Sequence, residues 1–278
     1  MIAYLRLLRV GLLLSPAADV TAGMALCGLP WTTDAVRALL ASVCVYAAGM
    51  VLNDHADRAL DAVQRPERPL PSGAIAPSVA LTLGLGLLLG GCGLSPMPLY
   101  HGGLALLVLG YDYALKRHVA TGAAAMGSLR ALNLLSGGVV LGATPPQLLV
   151  YAALAYFVYI VAVTLMGVLE DEPRVKPRAV VSLGLVAPAS ACLALLQTPY
   201  AGLAAGSGAA LLVALWLRAL RRRSFDRGAI RRVMTFLLLG TMLYTALLCA
   251  GMGRFAEAAT IFAAALLGRR ITRSIAIT

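Results

Sequence analysis

The chain has 278 residues, 60% of them hydrophobic and 13% charged, well under the roughly 25% charge of a soluble domain. Its formal charge of +11 is gathered in short loops with no interleaved aromatic surface, which points to orientation in a membrane and away from nucleic acid. Apolar stretches long enough to cross a hydrocarbon core of roughly 30 Å recur along the whole chain, and none shows the alternation of a membrane strand, so a transmembrane barrel is excluded.

In chain order the predicted crossings are 8–29, 35–53, 75–94, 97–115, 122–142, 146–169, 178–197, 199–217 and 230–250, and a shorter apolar run, 255–268, is a candidate tenth. The connections "GLPWTTD", "GLSPMPLYHG", "GATPPQ" and "QTPYAG" are rich in the residues that end helices and make turns. The fold class is therefore all-α, a polytopic transmembrane helical bundle of nine core spans with the tenth in question, read as one domain over 1–278. No soluble domain is expected. No cleavable signal is expected either, because "MIAYLRLLRVGLLLSPAADVTAG" lacks a small-residue cleavage site.

Basic residues occupy alternate loops: Arg6 and Arg9; Arg58, Arg65 and Arg68; Lys116, Arg117 and His118; Arg174, Lys176 and Arg178; and the run "RALRRRSFDRGAIRR". The opposite loops hold only Arg37 and Arg254. The basic side faces the cytoplasm, which puts the amino terminus inside a multi-pass protein of the cell's inner or plasma membrane. With ten spans the tail "GRRITRS" is also inside; with nine it is outside. The basic run is explained by attraction to anionic headgroups of the membrane lipid. Cys27, Cys44, Cys92, Cys192 and Cys249 are scattered through apolar segments with no CxxC, and read as small buried residues.

The second span ends in "NDHADRALD". Asn53, Asp54, Asp57 and Asp61 fall within an arc of about 100° if the helix continues through them. Carboxylates sharing one face at a membrane boundary repel unless a positive charge sits among them. Oxygen-only ligands suit a hard cation such as Mg2+, which binds through one or two carboxylates together with substrate phosphates. The plainer reading is a solvated helix end.

The pattern NDxxDxxxD followed by "RPERPLPSG" resembles the UbiA superfamily of intramembrane prenyltransferases. "RVGLLLSPAADVTAG" is similar to that family's opening helix, and "YDYALKR" to its tyrosine–lysine motif after the fourth span. The number and spacing of the spans are similar too. The resemblance implies a UbiA-like bundle in which Mg2+, held by two aspartate-rich motifs, holds an isoprenyl diphosphate, whose prenyl group alkylates a small lipophilic acceptor, aromatic or other. It implies that Asp54, Asp57 and Asp61 bind metal. It also implies that Asn53, Arg68 and Lys116 meet the diphosphate, Lys116 and the aspartates forming the catalytic set. A positive-inside anchor is the other reading of Lys116 and Arg117.

The second acidic motif departs from the family pattern. Its place reads "VTLMGVLEDEPRVKPR", where Glu170, Asp171 and Glu172 are consecutive and would spread over about 200° of a helix. Glu170 and Asp171 are metal candidates if Pro173 opens the backbone there; otherwise the run is a solvated loop paired with Arg174 and Lys176.

Arg130 and Asn133, within "GSLRALNLLSGG" of the fifth span, are costly in a membrane unless they face a polar interior. Arg130 is a candidate for the diphosphate or a structural partner for an acid, and Asn133 a second candidate contact or interhelical glue. The form MGxxRxxN resembles a divergent EboC-like branch. Three functions follow from these observations: prenyl transfer, terpene cyclisation from the same ionised diphosphate, and a non-catalytic lipid or metabolite carrier that keeps the fold.

Overall fold

A computed structural model describes residues 1–171, 175, 177–202 and 225–277. Among these residues there is no strand, only one antiparallel bridge between Val175 and Phe225. The helices are α1 Ile2–Leu7, α2 Leu14–Leu26, α3 Thr33–Ala56, α4 Arg58–Gln64, α5 Pro77–Leu94, α6 Pro98–Tyr113, α7 Val119–Val139, α8 Gln147–Val168, α9 Pro177–Leu195, α10 Arg227–Gly251 and α11 Phe255–Ile277. The protein is an all-α integral membrane protein. By length and composition, six stretches of the described chain can cross a membrane: Ile2–Leu26, Thr33–Ala56, Pro77–Leu94, Gln147–Val168, Pro177–Leu195 and Arg227–Gly251. Helices α6, α7 and α11 are shorter or more polar. The expected span 199–217 lies mostly outside the described residues.

Local chemistry sets the helix ends. The Thr32 hydroxyl accepts the Ala35 amide at 3.1 Å to start α3, and the Asp226 carboxylate accepts the Ala229 amide at 2.7 Å to start α10, each filling one of the donors a helix start leaves open. Pro77 and Pro98 open α5 and α6, where a missing amide hydrogen costs nothing. The first predicted span is not one helix. It breaks at Arg9, a non-glycine residue with φ 47°, and resumes through a 3-10 turn, Val10–Leu12.

Packing is close because small residues face each other. Gly23 of α2 lies against Gly137 of α7: a methyl group on Gly23 would strike the Leu134 carbonyl, and one on Gly137 the Val20 carbonyl. Such backbone contact is how membrane helices gain dispersion energy where lipid supplies no hydrophobic drive. The larger core joins α2, α7, α8, α9 and α10 around Tyr156, Tyr159 and Tyr244. The Tyr159 hydroxyl donates to the Leu237 carbonyl at 2.7 Å and the Tyr244 hydroxyl to the Ala152 carbonyl at 2.9 Å. A smaller core joins α3, α5 and α6. Helix α11 runs on through the basic tail and returns to the amino terminus, where the Arg6 guanidinium donates to the Ile275 carbonyl at 3.1 Å.

Candidate active site

The acidic segment does not form one continuous helix. Helix α3 ends at Ala56, Asp57 stands at the break with φ −88° and ψ 2°, and α4 begins at Arg58. One backbone hydrogen bond closes each side of the break, Asp57 N–H to Asn53 O at 2.9 Å and Asp61 N–H to Asp57 O at 2.8 Å. Asp54 and Asp61 are buried, at 4% and 2% exposure.

Each of these acids is met by a cation. Arg68, from the loop after α4, lies 2.6 Å from Asp61 and 3.3 Å from Asp54. Arg9, whose backbone is left-handed with φ 47°, lies 2.7 Å from Asp54. A bulky residue held in that region costs of order 1–3 kcal/mol and is found where the surrounding structure fixes it. Arg65 approaches Asp61 at 3.8 Å. The Lys116 ammonium, carried by the 3-10 turn Leu115–Arg117 beyond α6, lies 2.7 Å from Asp57. The structure thus brings together Asp54, Asp57, Asp61, Arg68 and Lys116. It adds Arg9, which the sequence marked only as a topological charge.

Asn53 turns toward α6. Its amide donates to Asp112 Oδ1 at 3.1 Å. Asp112 is buried at 3% exposure, and its Oδ2 is a buried atom with no hydrogen-bond partner. About one helical turn before Lys116, it sits between Tyr111 and Tyr113, and the sequence reading passed over it. His55 Nδ1 and the Tyr113 hydroxyl, 2.9 Å apart, tie the same two helix ends a second time.

Arg130 and Asn133 belong to a different, deeper cluster. The Arg130 guanidinium donates to Asp19 Oδ1 at 3.0 Å, to the Ser15 hydroxyl at 2.7 Å and to the Tyr156 hydroxyl. The Asn133 amide donates to Asp19 Oδ2 at 2.9 Å and to the Pro16 carbonyl at 3.1 Å. Asn133 also bonds the Ser42 hydroxyl. Asp19, fully buried in α2, is the partner that the sequence reading did not identify. A lone aspartate inside an apolar span is the signal that could have found it. The Arg130 cation also lies over the rings of Tyr46 and Tyr156, 5.7 and 5.3 Å from their centroids.

Glu170 is engaged elsewhere. It lies in the 3-10 turn Leu169–Asp171. Its carboxylate accepts from Arg231 at 2.7 and 2.9 Å, and its carbonyl accepts from Arg227 at 3.1 Å. Glu172, Arg174 and Lys176 lie outside the described residues, as does the side chain of Asp171.

Between the two polar clusters lies a cavity of about 210 Å³. Asn53, Asp112 and Arg9 line one part of it, Arg130, Asn133 and Ser42 another, and the walls between are apolar, from Val45, Leu104 and Val108 among others. Ser42 and Asn53 are eleven positions apart on α3, which sets them roughly 16 Å apart along the helix axis. The cavity is therefore shaped for a molecule with an apolar body and a charged end. Among the described residues, no three Asp, Glu, His or Cys side chains converge to hold a cation unaided. The oxygen donors of Asn53, Asp57 and Asp112, with the unpartnered Asp112 Oδ2 among them, do fit a hard cation that brings further oxygen ligands of its own.

A sequence profile of the UbiA prenyltransferase family matches residues 14–239. The digeranylgeranylglyceryl phosphate synthase of Methanothermobacter thermautotrophicus is 40% identical over 113 residues, 37% of this chain and 40% of that protein. The enzyme of the same name from Methanoregula boonei is 36% identical over 168 residues, 56% of this chain and 57% of that protein. The chain thus spans about half the length of these curated relatives, or less. Among solved structures, a UbiA homologue from Archaeoglobus fulgidus bound to GPP and Mg2+ superposes with a TM-score of 0.68 at 17% identity, covering 94% of this chain and 99% of that one. A UbiA homologue from Aeropyrum pernix superposes with a TM-score of 0.66 at 17% identity, covering 86% and 96%. At such identities the likeness is one of fold.

Proposed function

The chain belongs to the UbiA prenyltransferase family, and on that premise we propose that it transfers an isoprenyl group from an isoprenyl diphosphate to a small lipophilic acceptor within the membrane. The observation that carries this reading is the placement of a belt of paired acids and cations beside an apolar cavity. The solved homologue bound to GPP and Mg2+ supports the donor class. The relatives' names denote a lipid product, which supports a lipid-like acceptor over an aromatic one.

The residues divide the work by charge. Asp54, Asp57 and Asp61 are the acids to hold Mg2+. That ion, when bound, would supply positive charge to a leaving diphosphate. Lys116, Arg68 and Arg9 exchange their carboxylate partners for diphosphate oxygens. Fixed cations in a site shielded from water stabilise the charge that grows on the leaving group as the carbon–oxygen bond breaks. The new bond forms from the allylic carbon to the acceptor, and the acceptor's proton departs. The apolar walls hold the prenyl chain and keep water from the carbon centre. Arg130, its charge matched by Asp19, acts as scaffold beneath the cavity. Glu170, held by Arg231, contributes less than the first motif. The acidic end opens to the cytoplasm, where the basic loops lie.

The test is to incubate purified protein with labelled isoprenyl diphosphates and lipid-soluble acceptors, with and without Mg2+. Mg2+-dependent transfer of label to an acceptor is expected. Diphosphate release that needs no acceptor would instead indicate cyclisation or hydrolysis. Binding without turnover would indicate a carrier.

A further inference from the structure

We propose that Asp112, at the end of α6, is a carboxylate ligand of the divalent cation, and that it supplies from the fourth predicted span an acid that "EDE" does not present in the usual form. The inference rests on the prenyl-transfer reading and adds a residue to it.

Three independent features converge on Asp112. The first is its unsatisfied oxygen. Asn53 fixes Oδ1 at 3.1 Å, while Oδ2 is buried without a partner, and the residue lines the cavity. A buried acceptor without a partner is rare in a native protein and marks a place where a ligand or ion belongs. The second is electrostatic. The charged groups near enough to act on Asp112 are Lys116, Asp57 and Arg9. Both cations are shared with another acid, Lys116 lying 2.7 Å from Asp57 and Arg9 2.7 Å from Asp54, and the Lys116 ammonium, like Asp112 Oδ2, is a buried atom without a hydrogen-bond partner. Helices α3 and α6 both bring their carboxyl-terminal ends here, and those ends carry partial negative charge. Among the described residues this corner therefore holds two acids beside two negative helix ends, and the two cations that act on Asp112 are each shared with a second acid. The third is rigidity. The Asn53–Asp112 and His55–Tyr113 contacts pin the two helix ends together, so the carboxylate is held before any ligand arrives. Mg2+ takes one or two protein carboxylates and completes its shell with phosphate oxygens and water. Asp57 and Asp112, with a diphosphate, make such a set, and Glu170 is not needed for it.

The experiment measures metal binding, not turnover. Mn2+ is titrated into the purified full chain by electron paramagnetic resonance in the presence of geranyl S-thiolodiphosphate, an unreactive donor analogue. The parent is compared with Asp112→Asn, Asp112→Cys and Asp54→Asn. Asp112→Asn is expected to weaken Mn2+ binding about ten- to a hundredfold, as for loss of a charged contact. Asp112→Cys is expected to shift preference from Mn2+ toward Cd2+ by at least tenfold relative to the parent, because a thiolate favours the softer ion. A residue that only braces the helix ends would not change that preference, so the cysteine variant decides the matter even if Asp112→Asn folds poorly. Unchanged Mn2+ affinity in Asp112→Asn, or an unchanged Cd2+ to Mn2+ ratio in Asp112→Cys, overturns the assignment while loss of binding in Asp54→Asn leaves the prenyl-transfer reading standing. A parent that binds no Mn2+ with the analogue overturns both.

Discussion

The Lys116 ammonium lies 2.7 Å from the Asp57 carboxylate, so that the base and the acid to which the family resemblance gives different ligands form an ion pair with each other. Ligand binding has to part them, which couples metal and diphosphate. Asp57→Asn should weaken Mg2+-dependent binding of an isoprenyl diphosphate about ten- to a hundredfold. It also frees Lys116, so binding without Mg2+ should become tighter than in the parent. Lys116→Met should weaken binding under both conditions. Calorimetric titration of the three proteins, with and without Mg2+, separates these signs. If Asp57→Asn leaves Mg2+-dependent binding as it was, the pair is a tether between helix ends and nothing more.

Arg68 is expected to matter for stability as well as for ligand. It bridges Asp61 and Asp54, whose side chains are only 3% and 5% exposed, while Arg68 itself is 23% exposed. Breaking a buried pair by removing one partner strands a charge. Arg9 and Arg65 remain near those acids and soften the loss. Arg68→Gln should therefore cost roughly 1–3 kcal/mol. A divalent cation can replace the missing charge, so Mg2+ should raise the melting temperature of Arg68→Gln more than that of the parent. Thermal unfolding in detergent at several Mg2+ concentrations gives the comparison. An equal Mg2+ response in both proteins would show that the metal does not enter between these acids.

The orientation can be read at Ser72, which is exposed in the loop that carries Arg65 and Arg68. On the proposed orientation, with the basic loops on the cytoplasmic side, a Ser72→Cys variant should resist a membrane-impermeant maleimide in intact cells and react once the membrane is opened. Labelling from outside intact cells reverses the topology.

The bundle was legible because hydropathy reports directly on the membrane: long apolar runs become helices wherever every backbone group must be paired within the chain. The acid motif was legible because its members are so near in sequence that, despite the break at Asp57, Asp54 and Asp61 still share one cation, Arg68. The pairing was not legible. Asn53 and Asp112 are 59 residues apart in sequence, and only the meeting of α3 with α6 makes them neighbours. Arg9 reaches Asp54 through a left-handed backbone that an arginine does not advertise. Asp19 could have been flagged by the cost of a charge within a span. Its partners come from α7 and α8, more than a hundred residues later, and no local pattern announces them.

That deep cluster gives the last prediction. Asp19 accepts from Arg130, Asn133 and Tyr156, and the Asp19 and Arg130 side chains are 1% and 9% exposed. Arg130→Met would leave the Asp19 carboxylate buried with two neutral donors and no countercharge. Loss of one member of such a pair costs about 3–5 kcal/mol. Replacing both members costs less, since neither charge is then stranded, so Asp19→Asn with Arg130→Met should be more stable than Arg130→Met alone. The coupling between the two substitutions should be on the order of 1–3 kcal/mol. Because the Arg130 charge is already matched, the double variant should bind an isoprenyl diphosphate within a few-fold of the parent. Unfolding measurements on the two single variants and the double variant give the coupling, and a titration with the diphosphate gives the affinity. A double variant that recovers stability yet loses diphosphate affinity by more than about tenfold would show that Arg130 reaches the diphosphate after all, and its place would then be beside Lys116 and Arg68 and not in the scaffold.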